Sequence, residues 1–248
     1  MSTSNRLQSG GSLLVEQLIE NKTDLAFFVP GESYLDVLNS MYDKKNTLKL
    51  INARHEAGAA NMAEAYGKLT GKPGIAFVTR GPGACHASIG VHIASQDSTP
   101  MILFIGQVST DSMEREAFQE IDYKQMFNPI AKWVTQIDKV ARIPEIISRA
   151  YRTALSGRPG PVVISLPEDI LSEKTRARPL PFFTQEKSDI RMESIEKLRN
   201  ILSASKKPLL LLGGGSWTDE SVLSICKFAE ANNLPIATSF RRLDCITL

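Results

Sequence analysis

The chain has 248 residues, 42% of them hydrophobic and 23% charged, enough for one large domain or one and a half ordinary ones. Its 29 basic and 27 acidic side chains leave a net charge of +2, scattered without a stripe or tail, so nucleic acid is excluded as the main partner. Three widely spaced cysteines, Cys85, Cys226 and Cys245, imply neither a disulfide framework nor a zinc knuckle. A polar start and the lack of any run near 18 apolar residues give no signal peptide or membrane span, and a reducing cytoplasm is expected.

Apolar strand-like runs then alternate with helical ones. Leu25–Val29, Leu48–Asn52, Gly74–Thr79, Met101–Ile105, Lys132–Gln136 and Pro161–Leu166 read as strands, with helical stretches at about 12–41, 55–70, 84–95 and 140–156. This alternation predicts an α/β fold in which a six-stranded parallel sheet carries helices on both faces. Ligands of such sheets bind at the carboxyl ends of the strands. Four punctuated segments fall there: Pro30-Gly31-Glu32, Glu56, Arg80-Gly81-Pro82-Gly83 and Gly106-Gln107.

Beyond Glu168-Asp169 a Pro/Arg/Thr-rich passage, Lys174 to Gln185, reads as a linker. It divides a first domain over 10–175 from a second over 189–248, with 176–188 between. The second part reads as helix (189–204), strand (Pro208–Leu212), helix (219–232) and strand (Pro235–Ser239), a truncated Rossmann-like βαβ unit. So short a unit buries too little surface to hold a core of its own, so the chain is expected to stop inside a domain.

Glu56 is the most informative residue. It opens a helix whose first turns carry Gly58, Ala59, Ala60 and Ala63, so almost no side-chain bulk separates the carboxylate from whatever lies against it. The helix dipole stabilises the negative charge. A buried ligand is one reading, and a helix-capping acid in a tightly packed protein is the other. Several chemistries fall away. Gly213-Gly214-Gly215 lacks the G-x-G-x-x-G spacing because Thr218 stands where the third glycine belongs, and neither Gly-Lys pair is followed by Ser or Thr. His86 and His92, six apart, point to different helix faces, so no metal ligands are assigned. No G-x-S-x-G elbow is present.

The blocks FFVPGESYLDVL, RHEAGAANMAEAYGKLTGKPG, FVTRGPGACHA, DSTPMILFIGQV, EAFQEID and SGRPGPVVISLPEDI, in this order, resemble the N-terminal pyrimidine-binding domain of the thiamine-diphosphate enzymes, in their acetolactate synthase-like branch. The resemblance covers about residues 10 to 240, with PLLLLGGG and LPIATSFRR resembling the start of that family's central domain. It implies thiamine diphosphate as cofactor, and a thiamine-diphosphate-binding fold for the first domain. Glu56 is implied as the carboxyl that shares a proton with N1′ of the aminopyrimidine in a water-poor cleft. The cofactor's own imino group can then take the proton from C2, and a 2-oxo acid is decarboxylated and its remainder joined to a second carbonyl. The resemblance also places Gly31 at the turn near the reacting centre, where the plain alternative is a glycine needing positive φ. Gln119 is implied on the substrate side, and Ser98 and Arg158 at positions that hold FAD in some members.

The chain departs from that pattern at three places. Glu32 replaces a glycine, Cys85-His86 replaces Thr-Asn, and Glu168 replaces a lysine. A carboxylate at Glu32, near the cofactor mouth, is expected to repel an anionic acceptor, pointing to a 2-oxo acid decarboxylase or carboligase other than acetolactate synthase. The Gly-Asp-Gly…Asn segment that holds the diphosphate through Mg²⁺ in the family does not occur in these residues. The expectation is therefore an N-terminal portion, inactive alone, that works as a homodimer or tetramer or with a diphosphate-binding partner chain. The alternative is a non-catalytic subunit that pairs with a full-length relative.

Overall fold

The computed structural model describes residues 6–182, 189–215 and 217–246. The chain divides into two compact units, Met1–Thr184 and Gln185–Leu248. The second part of the expected linker, 183–188, lies outside the described residues, as does the end of the chain at 247–248.

The first unit is built on six parallel strands: β2 (Leu25–Phe28), β3 (Lys49–Asn52), β4 (Gly74–Val78), β5 (Met101–Gln107), β6 (Trp133–Gln136) and β7 (Pro161–Pro167), in the spatial order β3-β2-β4-β5-β7-β6. A short antiparallel pair, β1 (Gln8–Ser9) with β8 (Lys174–Thr175), lies outside that sheet. Every residue of β4, β5 and β7 is buried, whereas the edge strands β3 and β6 are only partly covered. Near-continuous apolar runs are what a strand covered on both faces requires.

Side-chain alternation assigns each strand residue to one of two cores. Ile75, Phe77, Ile102, Phe104, Val162 and Ile164 join Leu14 and Leu18 of helix α1 (Gly10–Glu20), Val37 of α2 (Leu35–Asp43) and Ile147 of α6 (Ile143–Leu155). Ala76, Val78, Leu103, Ile105 and Val163 join alanines of α3 (Glu56–Thr70) and α4 (Gly81–Asp97) on the opposite face. Small residues bring α3 and α4 unusually close. A Cβ at Gly90 would come within 2.6 Å of the Ala60 Cβ, and one at Gly74 would overlap the Ala63 carbonyl.

The six strands fall where the sequence reading puts them, within two residues at each end. The helical stretch at 12–41 is instead two helices, α1 and α2, because β2 and the Pro30-Gly31 segment interrupt it. Two single-turn helices, α5 (Tyr123–Phe127) and α7 (Glu168–Ser172), were too short to read as a periodic pattern. In the second unit, α8 (Met192–Ala204), β9 (Leu210–Leu212), α9 (Asp219–Ala231) and β10 (Ile236–Thr238) form the expected parallel strand pair with its helices. Ile195, Leu198 and Ile201 of α8 are exposed, in line with the surface-to-volume argument for so small a unit.

Strand order also locates the crevice. The connection leaving β2 runs to β3 on one side, and that leaving β4 runs to β5 on the other. In an open parallel sheet, ligands bind between two such neighbouring strands, beyond their carboxyl ends.

Candidate active site

Gly31 follows β2 with φ −152° and ψ 150°, an extended backbone that any residue adopts, so the positive-φ alternative is corrected. Its small size matters for another reason. A Cβ there would lie 2.5 Å from Thr79 Cβ, just past β4, so only glycine lets the two loops meet across the crevice. Ser33 Oγ and Thr79 Oγ1, 2.9 Å apart, tie the same two loops together.

Glu56 is the first residue of α3, after the N-cap His55, whose Nδ1 accepts the Ala57 amide hydrogen at 3.2 Å. The Glu56 side chain is only 14% exposed, and its Oε2 lies 2.9 Å from Nδ1 of His86 on the second turn of α4. The His55 and His86 rings are in contact, centroids 4.4 Å apart and planes inclined by 31°. A Cβ at Gly83 would lie 3.6 Å from Glu56 Cγ and 3.2 Å from Thr79 Cγ2, so the absent side chain keeps space open beside the carboxylate. Tyr34 is buried nearby, its hydroxyl donating to the Val29 carbonyl. Burial, and secondarily the charge of Glu56, push the Tyr34 phenol well above its ordinary pKa.

The sequence reading weighed His86 only against His92, set that pair aside and missed this cluster. One donor atom from each of His55, Glu56 and His86 lies within 4.8 Å of the others. These are donor types that a divalent transition metal accepts. Both Nδ1 atoms are already engaged, however, one by the Ala57 amide and the other by the Glu56 carboxylate.

Gln119 reaches the same region through its backbone. It sits at φ 62°, and its carbonyl accepts the Gly81 amide hydrogen at 3.0 Å, at the start of α4. Gln107, 3% exposed, donates its amide to the Ile121 carbonyl at 3.0 Å and so anchors the segment that carries Gln119. Beyond it, a cavity of about 240 Å³ is lined by Gln107, Tyr123, Thr135, Gln136 and Ser165, and the Tyr123 hydroxyl is buried without a hydrogen-bond partner.

Arg80, read from sequence only as the first residue of a punctuated loop, organises this edge. Its side chain is 7% exposed, in contact with the Glu32 carboxylate and 3.7 Å from that of Glu168, and its guanidinium lies 5.7 Å from the centre of the Phe118 ring. Glu32 thus shares one buried guanidinium with Glu168, so the three side chains together keep a net negative charge.

Ser98 and Arg158 lie elsewhere. Ser98 is the left-handed C-cap of α4, about 25 Å along a 17-residue helix from the end that meets Glu56. Arg158 Nε donates to Ser98 Oγ at 2.7 Å, and its Nη2 donates to the Ser95 carbonyl at 3.0 Å. The pair closes the helix C-terminus, where a cation and added donors satisfy the last carbonyls.

With this geometry in hand, residues 8–126 match the thiamine pyrophosphate enzyme N-terminal TPP-binding domain. Over 245 residues the chain is 36% identical to the acetolactate synthase large subunit of Lactococcus lactis subsp. lactis, covering 97% of this chain and 42% of that protein. Residues 8–126 thus belong to the thiamine pyrophosphate enzyme N-terminal domain family, and nearly the whole chain is similar to acetolactate synthase large subunits. It is 34% identical to the isozyme 3 large subunit of Escherichia coli K12, over 95% of this chain and 42% of that one, and 34% identical to a probable acetolactate synthase large subunit of Methanococcus aeolicus, over 96% and 41%. The chain thus spans about two fifths of the length of the curated relatives it matches. Among the described residues, no helix is long and apolar enough to cross a membrane.

Proposed function

We propose that this chain is the aminopyrimidine-binding portion of a thiamine-diphosphate-dependent 2-oxo acid decarboxylase or carboligase, with Glu56 as the residue that engages the cofactor. Residues 10–175 are the pyrimidine domain in this reading, 176–188 a connecting segment and 189–248 the start of a central domain. The observation that carries it is the Glu56 carboxylate, largely buried, at the carboxyl ends of the strands, with one oxygen tied to His86 and the bulk-free Gly83 beside it. A capping acid would satisfy its own helix. Here the capping interaction at this helix is made by His55, which leaves Glu56 for another partner.

The donor set fits an aminopyrimidine. A carboxyl partly withdrawn from water can hydrogen-bond a ring nitrogen directly. Bound thiamine diphosphate supplies the nucleophilic carbon and the electron sink of the reaction. Around it, Glu56 would hold the shared proton and the Gly31 and Gly83 positions would admit the ring. The Gln119 segment, pinned at Gly81 and Ile121, would border the substrate side. The groups that bind the diphosphate and Mg²⁺ would come from outside these 248 residues, from the same polypeptide, a second copy or a partner chain. FAD, where present, would meet Ser98 and Arg158 at the exposed end of α4. There the two are bonded to each other and to the last turn of the helix.

The test is reconstitution with a diphosphate-binding segment of a relative and an assay for CO₂ release from a 2-oxo acid. Activity that needs both parts and falls with Glu56→Gln supports the reading; activity indifferent to Glu56 would sink it.

A further inference from the structure

We propose that His86 is a positioning residue for Glu56: its Nδ1–H donates to Oε2 and so holds the carboxyl with Oε1 turned toward the ring nitrogen of the ligand. The inference rests on the reading of Glu56 given above. A glutamate side chain has three rotatable bonds, and a carboxyl with both oxygens free samples many orientations. The 2.9 Å bond to His86 removes that freedom for one oxygen and leaves the other as the acceptor available to a ligand.

The tautomer follows from the partners. A carboxylate is acceptor-only, so His86 must carry its hydrogen on Nδ1. His55 carries the opposite arrangement, because its Nδ1 accepts from the Ala57 amide and its hydrogen therefore sits on Nε2. His55 is fixed by its own helix, and the His86 ring lies against it at 4.4 Å, so a rigid wall limits rotation of His86 about its side-chain bonds. The arrangement joins the N-terminal ends of α3 and α4, two helices whose close approach is already set by Gly90 and Ala60.

Two readouts test this, the first on the 248-residue chain and the second on that chain reconstituted with the diphosphate-binding segment of a relative. In ¹⁵N ring spectra of histidine-labelled protein, His86 is expected in the Nδ1–H form, and Glu56→Leu should shift it toward Nε2–H, with the exposed His92 as internal reference. In ligand-observed titration with thiamine diphosphate and Mg²⁺, His86→Leu should weaken binding about fivefold, the effect of one lost hydrogen bond. His86→Asn, which keeps an N–H donor at nearly the same reach, should stay within about twofold of the parent. A His86 ring in the Nε2–H form, or unmoved by Glu56→Leu, overturns the proposal. Saturable binding with equal affinity in the parent and in His86→Leu overturns the role of His86 alone. No saturable binding by the reconstituted parent overturns the reading of Glu56 on which it rests.

Discussion

The guanidinium of Arg80 is buried against the Glu32 carboxylate, joining the loop after β4 to the loop after β2 across the crevice of the sheet. Glu168, opening α7 after β7, adds a second carboxylate at 3.7 Å. The two acids are largely exposed while the base is not, which sets the energetics. Removing a carboxylate leaves a buried cation with less compensation, whereas removing the arginine releases two carboxylates to water. Single Glu32→Gln should cost about 1–2 kcal/mol, moderated by solvent screening of the exposed acid. The Glu32→Gln, Glu168→Gln double variant should lose more than the sum of the singles, since the two share one partner. Adding Arg80→Met to that double should restore most of the loss, because the uncompensated charge goes. Urea denaturation of the parent, both single variants, the double and the triple checks this, and a triple variant less stable than the double would contradict it.

Packing of α3 against α4 gives a prediction with opposite signs at two glycines. Gly58 has open space around its missing side chain, so Gly58→Ala should gain up to about 1 kcal/mol from helix propensity. Gly90→Ala gains the same propensity but places a methyl group 2.7 Å from the Ala60 carbonyl carbon, backbone that cannot swing aside. Overpacking of this kind costs about 1–3 kcal/mol, so the clash outweighs the gain. Thermal unfolding should move upward for the first variant and downward for the second, by a few degrees each way.

The sheet and its ligand-binding edge were legible because each strand is a local pattern: β4, β5 and β7 are unbroken apolar runs, and their ends carry Gly and Pro. Glu56 was legible for the same reason, standing at a helix mouth among alanines. What could not be read is what joins distant residues. His86 meets Glu56 from a different helix, and Arg80 gathers Glu32 and Glu168 from loops far apart in sequence. Ser98 and Arg158 likewise meet from distant segments, at the end of α4. The brief pair β1 and β8 and the turns α5 and α7 carry too few residues for periodicity to register.

Alkaline pH should unfold the protein through its buried phenols. Burial raises Tyr34, Tyr123 and Tyr151 above the ordinary tyrosine value, and burial together with the Asp24 hydrogen bond pushes Tyr66 up to about 12. Each folded-state pKa exceeds the unfolded value near 10, so above about pH 10 the unfolded chain holds fewer protons and stability falls as pH rises. The contribution is complete below pH 10 and is lost toward the folded-state values. Absorbance at about 295 nm, which follows tyrosinate, should rise together with loss of helical circular dichroism. Early ionisation of all five tyrosines with the fold intact would contradict the burial of these rings.

Glu56→Gln separates function from fold. The amide keeps the shape of the side chain and can still accept from His86 Nδ1 through its oxygen, so the bond that ties α3 to α4 survives. It cannot share a proton with a ring nitrogen in the way a carboxyl can, since its remaining polar group is a fixed N–H donor. The melting temperature should therefore stay within about 2 °C of the parent, as for a substitution that makes no cavity and strands no buried group. Turnover of the reconstituted enzyme on a 2-oxo acid should fall by about 10²–10⁴, the range for losing a positioned acid–base group. The 248-residue chain alone should show no carboligation with either side chain. A large drop in melting temperature with turnover lost in proportion would instead make Glu56 a capping residue of α3, and the function would have to be carried by another group at this edge of the sheet.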